Sequence, residues 1–175
     1  MNILLFTADG SLVLQKRSKK VSIRQGELCS AASGALSKCD VSVPVTLDHV
    51  HLFREGYEEL GVFTEDGVTE HLELLGITRE LIRGGKPELF LSADSRLLRS
   101  QVLTRWERAH DNFEADELIF YPFDSDVVFT SLDKREKRNR FTHQFDGLID
   151  ECGDRASIPL LTNLALWQHW KLIGG

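Results

Sequence analysis

Apolar runs broken by glycine, proline and short polar clusters divide the chain into many short elements. Asn2–Phe6 is an apolar run, Ala8-Asp9-Gly10 is a turn signal, and Ser11–Lys16 alternates apolar with polar positions, which together predict a β-hairpin. Gly26–Leu36 is small and polar and reads as a loop or irregular strand. Val41–Val45 is β-branched and broken by Pro44, hence extended or loop-like. Thr46 is a good N-cap with Asp48 in the first turn, so a helix is expected from there to Leu60, with Gly61 as its stop signal. His71–Leu81 and Glu88–Ala93 predict strands joined by the turn Gly84-Gly85-Lys86-Pro87. Ser95–Arg108 predicts a helix with Leu98, Val102 and Trp106 as its apolar stripe, Leu118–Phe123 a buried strand, and Leu132–Asn139 a solvated helix or loop. Ser157 caps a last helix that holds Pro159 in its first turn and runs to about Lys171; Leu161, Leu164, Ala165 and Trp167 make it apolar enough to pack on the sheet. Strands and helices alternate without strict βαβ order. That predicts an α/β/α sandwich with a mixed β-sheet, in a single domain over residues 1–175.

Composition narrows the function classes. The formal net charge of −6 argues against an extended nucleic-acid face, which needs a basic surface, but leaves room for a small phosphorylated ligand. No apolar run approaches the roughly 18 residues of a membrane span, and Met1 leads straight into an expected strand, so neither a membrane nor a signal peptide is expected. Cys29, Cys39 and Cys152 are odd in number and lack CxxC spacing, which speaks against a disulfide framework or zinc site and for a reducing, cytoplasmic setting. His49, His51, His71, His110, His143 and His169 show no ligand spacing, and Trp106, Trp167 and Trp170 read as packing residues. If the chain assembles, a homodimer is the expectation.

The chemistry concentrates in Arg54-Glu55-Gly56-Tyr57-Glu58-Glu59-Leu60-Gly61-Val62. On a helix, Glu55 shares a face with Glu58 and Glu59, three and four residues on, while Val50, Phe53, Tyr57 and Leu60 form an apolar face. Three like charges on adjacent turns repel, at a few tenths of a kcal/mol per pair. A hard divalent cation such as Mg²⁺ reverses that sign, and Arg54 is placed to hold one carboxylate by a bidentate contact.

This stretch resembles the core of the Nudix box, R-E-U-x-E-E-x-G-U with U apolar: Arg54, Glu55, Glu58, Glu59, Gly61 and Val62 match. Gly56 departs from it and loosens the helix by up to about 1 kcal/mol relative to Ala. Upstream, Gly34 resembles the box glycine, Asp40 falls where a Glu is expected, and Val41–Thr46 reads as an insertion before the helix. The resemblance implies a Mg²⁺- or Mn²⁺-dependent hydrolase acting on a diphosphate linkage in a nucleoside diphosphate joined to another moiety. It further implies Glu55, Glu58, Glu59 and the Gly34 carbonyl as metal ligands, Arg54 as their support, and a base taken from Glu55, from Glu59 or from a later loop. In that loop Glu114 is the first choice and Glu117 the next. Arg17, in the basic run Arg17–Lys20, and Arg79 either contact a substrate phosphate or lie solvated on the surface. Two rivals share the fold: an isopentenyl-diphosphate isomerase-like enzyme and a non-catalytic nucleotide-sensing module. The isomerases carry Cys-Ser-His-Pro, where this chain has Cys29-Ser30-Ala31-Ala32, so Cys29 reads as a buried small residue.

Overall fold

The computed structural model describes residues 1–35, 54–62, 66, 68, 72–81, 84–123 and 134–173. Cys39, Asp40, the Val41–Thr46 insertion, Asp48, His49, Val50, His51, Phe53 and His71 lie outside them. Among the described residues, seven strands form one mixed sheet: β1 (Asn2–Phe6), β2 (Ser11–Arg17), β3 (Leu28–Ser30), β4 (Ala32–Ser33), β5 (Leu72–Glu80), β6 (Lys86–Asp94) and β7 (Ala115–Pro122). Four α-helices among the described residues cover it: α1 (Arg54–Leu60), α2 (Arg99–Trp106), α3 (Lys134–Cys152) and α4 (Ile158–Ile173).

β1 and β2 form the expected hairpin, with Leu5 opposite Val13 and Phe6 opposite Leu12, turning through Gly10 at φ 74°. β1 runs parallel to β6, and the other strand pairings among the described residues are antiparallel. One edge of β1 is shared: Leu5 and Phe6 pair with β2, whereas Asn2 and Ile3 pair with β4. β1 and β2 therefore part beyond Val13, and the next inward position of β2, Gln15, pairs with β3 instead.

Alternation along β1 explains the layers. Ile3 and Leu5 pack with Val13, Leu60, Val62, Leu89, Leu91 and Val102, beneath α1 and α2. Leu4 and Phe6 pack with Leu12, Leu14, Phe141, Phe145, Leu148, Leu160, Leu164 and Trp167, beneath α3 and α4. The fold is thus an α/β/α sandwich, as the element order predicts. Because both faces are covered, Ser11 and Gln15 are buried along with their apolar neighbours, which a half-solvated hairpin would not do.

Other expectations shift. α3 continues to Cys152, well past the charged Leu132–Asn139 segment, because Phe141, Phe145, Leu148 and Cys152 recur at helical spacing and are all buried. α2 starts at Arg99, so Leu98 precedes its first turn and is exposed, while Val102 is fully buried. β7 is buried at Leu118 and exposed at several other positions, so it is half-solvated. α4 follows the forecast: the Leu160 N–H donates to Ser157 Oγ at 3.3 Å, and Leu164 and Trp167 face the sheet, although Leu161 and Ala165 face out. No helix among the described residues is long and apolar enough to cross a membrane.

Candidate active site

The inward face of α1 is made by Gly56, Glu59 and Leu60, with Val62 just beyond. Gly56 and Leu60 are four apart and share that face, so Tyr57, expected inside, is rotated out to 50% exposure. The same rotation drives Glu59 into the protein, where it is 3% exposed. Its carboxylate accepts from Gln15 Nε2 at 3.0 Å and from the Ser33 N–H at 3.4 Å. Gln15 also donates to the Ala31 carbonyl at 2.6 Å, which fixes its amide in the gap where β1 and β2 diverge. Burial, then the charges of Glu114 and Glu55, push the Glu59 carboxyl from 4.5 up to about 8, against the opposing Ser33 and Gln15 bonds.

Glu55 lies against the backbone of Gly34 so closely that a Cβ there would overlap its carboxyl group. Burial raises its pKa, the Arg54 charge opposes that, and Glu58 and Glu114 add to the rise. Arg54 holds Glu55 Oε1 at 2.5 Å and Glu58 Oε2 at 2.5 Å, and donates to the Ala35 carbonyl at 3.2 Å. Arg54 therefore contacts two carboxylates with one amino group each, where a bidentate contact to one is expected. The expected convergence of three is partial: Glu55 and Glu58 share the arginine, and Glu59 turns inward. Among the described residues no three His, Cys, Asp or Glu side chains stand close enough to hold one ion.

Glu114 reaches the same region from the single turn Asn112–Glu114 ahead of β7. Three contacts fix it: the Asp111 N–H donates to the Glu58 carbonyl at 2.9 Å, the Ser18 N–H to the Glu114 carbonyl at 2.8 Å, and Arg17 Nη2 to Glu114 Oε2 at 3.3 Å. A β-bulge between Lys16 and Arg17 breaks the β2–β7 register there and re-aims the arginine. Of the basic run, then, Arg17 is largely buried and paired, while Lys19 and Lys20 are exposed. Glu117, the second choice for a base, faces Lys16 at 3.9 Å on the surface.

Ser33, Gly34 and Ala35 border a cleft of about 250 Å³ that Arg17, Arg24, Lys86 and Glu88 also line. The Gly34 carbonyl, expected to face a metal, accepts from the Met1 amino group at 2.6 Å. Arg79 is exposed on β5 and does not line the cleft; its neighbour Glu80, on the opposite face of the strand, pairs with Arg24 at 3.2 Å. Cys29 is buried on β3, its thiol pKa is raised by burial against an opposing Ser157 hydrogen bond, and it does not line the cleft either. His110, His143 and His169 are exposed at separate places.

Gln15 was missed in sequence. The signal for it was a polar residue on the inward phase of an otherwise apolar strand, two positions after Val13. The donor set suits a hard divalent cation: it is all oxygen, and Glu59 is a buried carboxylate that, among the described residues, is bonded only to neutral donors and flanked by like charges. Glu55, Glu58, Glu59 and the Gly34 carbonyl are the groups that would hold such a cation, on exchange of the present bonds to Arg54, Gln15, Ser33 and the Met1 amino group.

No protein-family profile matches the chain, and no curated protein matches it in sequence. In fold it is similar to DR0079 of Deinococcus radiodurans, a crystal structure at 1.9 Å, with a TM-score of 0.44 and 17% identity over 68% of this chain and 63% of that one. The chain therefore spans just under two thirds of that protein's length.

Proposed function

We propose that this chain is a Nudix-type hydrolase, using Mg²⁺ or Mn²⁺ to cleave the diphosphate linkage of a nucleoside diphosphate joined to another moiety. The observation that carries the reading is Glu59: a carboxylate withdrawn from water beside Glu55 and Glu114, with no cationic partner among the described residues. A solvated acidic helix would leave such a group in water, where it costs nothing. A bound cation would offset charge on the diphosphate oxygens and acidify nearby water.

The protein groups do the rest. Arg54 keeps Glu55 and Glu58 in register, and Gln15 with Ser33 fixes the depth of Glu59. Water attacks one phosphorus and the bridging P–O bond breaks, its electron pair leaving with the departing phosphate. The water proton passes to Glu114, which Arg17 holds in place. Hydrolysis of nucleotide-linked diphosphates, screened with Mg²⁺ and Mn²⁺, is expected to fall by at least 100-fold in Glu58→Gln and Glu59→Gln. Full activity in Glu55→Gln, Glu58→Gln and Glu59→Gln alike would overturn the reading.

A further inference from the structure

In the lining of the cleft beside Gly34 basic side chains outnumber acidic ones, although the chain as a whole is acidic. Against a net charge of −6, its wall sets Arg17, Arg24 and Lys86 against one carboxylate, Glu88. Its volume of about 250 Å³ falls below the range of roughly 300–1,000 Å³ that engulfs a drug-sized ligand. Among the described residues no aromatic ring lines it, so it offers a nucleobase no stacking surface. What it offers is N–H donors from Arg17, Arg24 and Lys86, each arginine sharing its charge with one glutamate, Glu114 or Glu80.

Two details show those donors held in place. Arg17 gives one amino group to Glu114, while its Nε is buried without a hydrogen-bond partner. Arg24 is the single non-glycine among the described residues with a left-handed backbone, φ 58°, and Glu80 of β5 anchors its guanidinium at 3.2 Å. A bulky residue takes that conformation at a cost, which its neighbours must sustain. Each pairing engages one amino group of a five-donor fork. Lys86 closes the cleft from the start of β6.

We infer that this cleft binds a phosphate group carried by the substrate in addition to the scissile diphosphate, so that the preferred substrates have a phosphorylated substituent. Ser33 and Gly34 belong to both the cleft and the carboxylate site, so the extra phosphate lies next to the reacting diphosphate. The word substrate rests on the hydrolase reading above; the binding of phosphate does not.

Inorganic tripolyphosphate, titrated calorimetrically into the full chain with a chelator present, tests the site directly. Arg24→Gln and Lys86→Gln are each expected to weaken binding about 10-fold and the double variant about 100-fold, with Tm shifted by no more than a few degrees. Arg24→Lys should recover most of the loss, and Glu59→Gln should bind at least as tightly as the wild type. In turnover, the kcat/KM preference for a phosphorylated over an unphosphorylated diphosphate should fall about 10-fold in either Gln variant. Absent binding, or equal binding by wild type and double variant, would overturn the inference. Binding lost in the double variant while the wild type hydrolyses nothing would leave the cleft standing and remove the hydrolase.

Discussion

Glu59→Gln tests the site through stability, without any knowledge of substrate. In the folded chain the Glu59 carboxyl protonates near 8, against an ordinary 4.5. At about 1.4 kcal/mol per pH unit, that separation corresponds to on the order of 4 to 5 kcal/mol. The sign follows from which state binds the proton more tightly. Because the folded state does, the contribution of Glu59 is fully present below about pH 4.5 and is lost as pH rises through about 8. In a chelator, the wild type should lose on the order of 4 kcal/mol between pH 5 and 8.5 relative to Glu59→Gln. For a chain of this size that is a relative fall in Tm of roughly 8–16 °C. The amide keeps an acceptor for Gln15 or Ser33 and loses one hydrogen bond, so at pH 5 the variant should be about 1 kcal/mol less stable. The two curves of Tm against pH should therefore cross. Millimolar Mg²⁺ should raise the wild-type Tm at pH 8 and leave the variant nearly unmoved. Thermal unfolding followed by circular dichroism measures all of this. Parallel curves for the two proteins would refute the burial-and-charge account of Glu59.

Gly34→Ala places a methyl group where the Glu55 carboxyl lies; that side chain can swing away, so the variant should unfold within a few degrees of wild type yet lose at least 10-fold in kcat. Unchanged turnover in a folded Gly34→Ala protein would separate Glu55 from the chemistry. Trp167→Ala empties the second core, where the indole is 1% exposed, stacks on Phe6 at 4.8 Å and meets Phe123 edge-on at 5.1 Å; a loss of about 3–5 kcal/mol in denaturant unfolding is expected. A loss below about 1 kcal/mol would mean that α4 is not integral to the fold.

Local periodicity in the sequence determined the elements: the hairpin around Gly10, the strand pair ahead of and behind Gly84-Gly85, the Ser157 cap, and the layered α/β architecture. It also determined what lies within one or two helical turns. Arg54 meets Glu55 and Glu58, one and four residues on, because helix geometry alone brings them together. Where a local pattern was read too narrowly, as with the stripe Phe141, Phe145, Leu148 that carries α3 to Cys152, the information was still present. Tertiary structure alone decided which side of the acidic helix faces inward, since that depends on Gly56 and Leu60 packing under the sheet and on where β1 and β2 part to admit Gln15. It likewise decided that Arg17 meets Glu114, 97 residues away, and that Arg24, not Arg79, enters the cleft. Such meetings depend on strand register and a bulge, which arise from pairing between distant segments, and no window of neighbouring residues contains them.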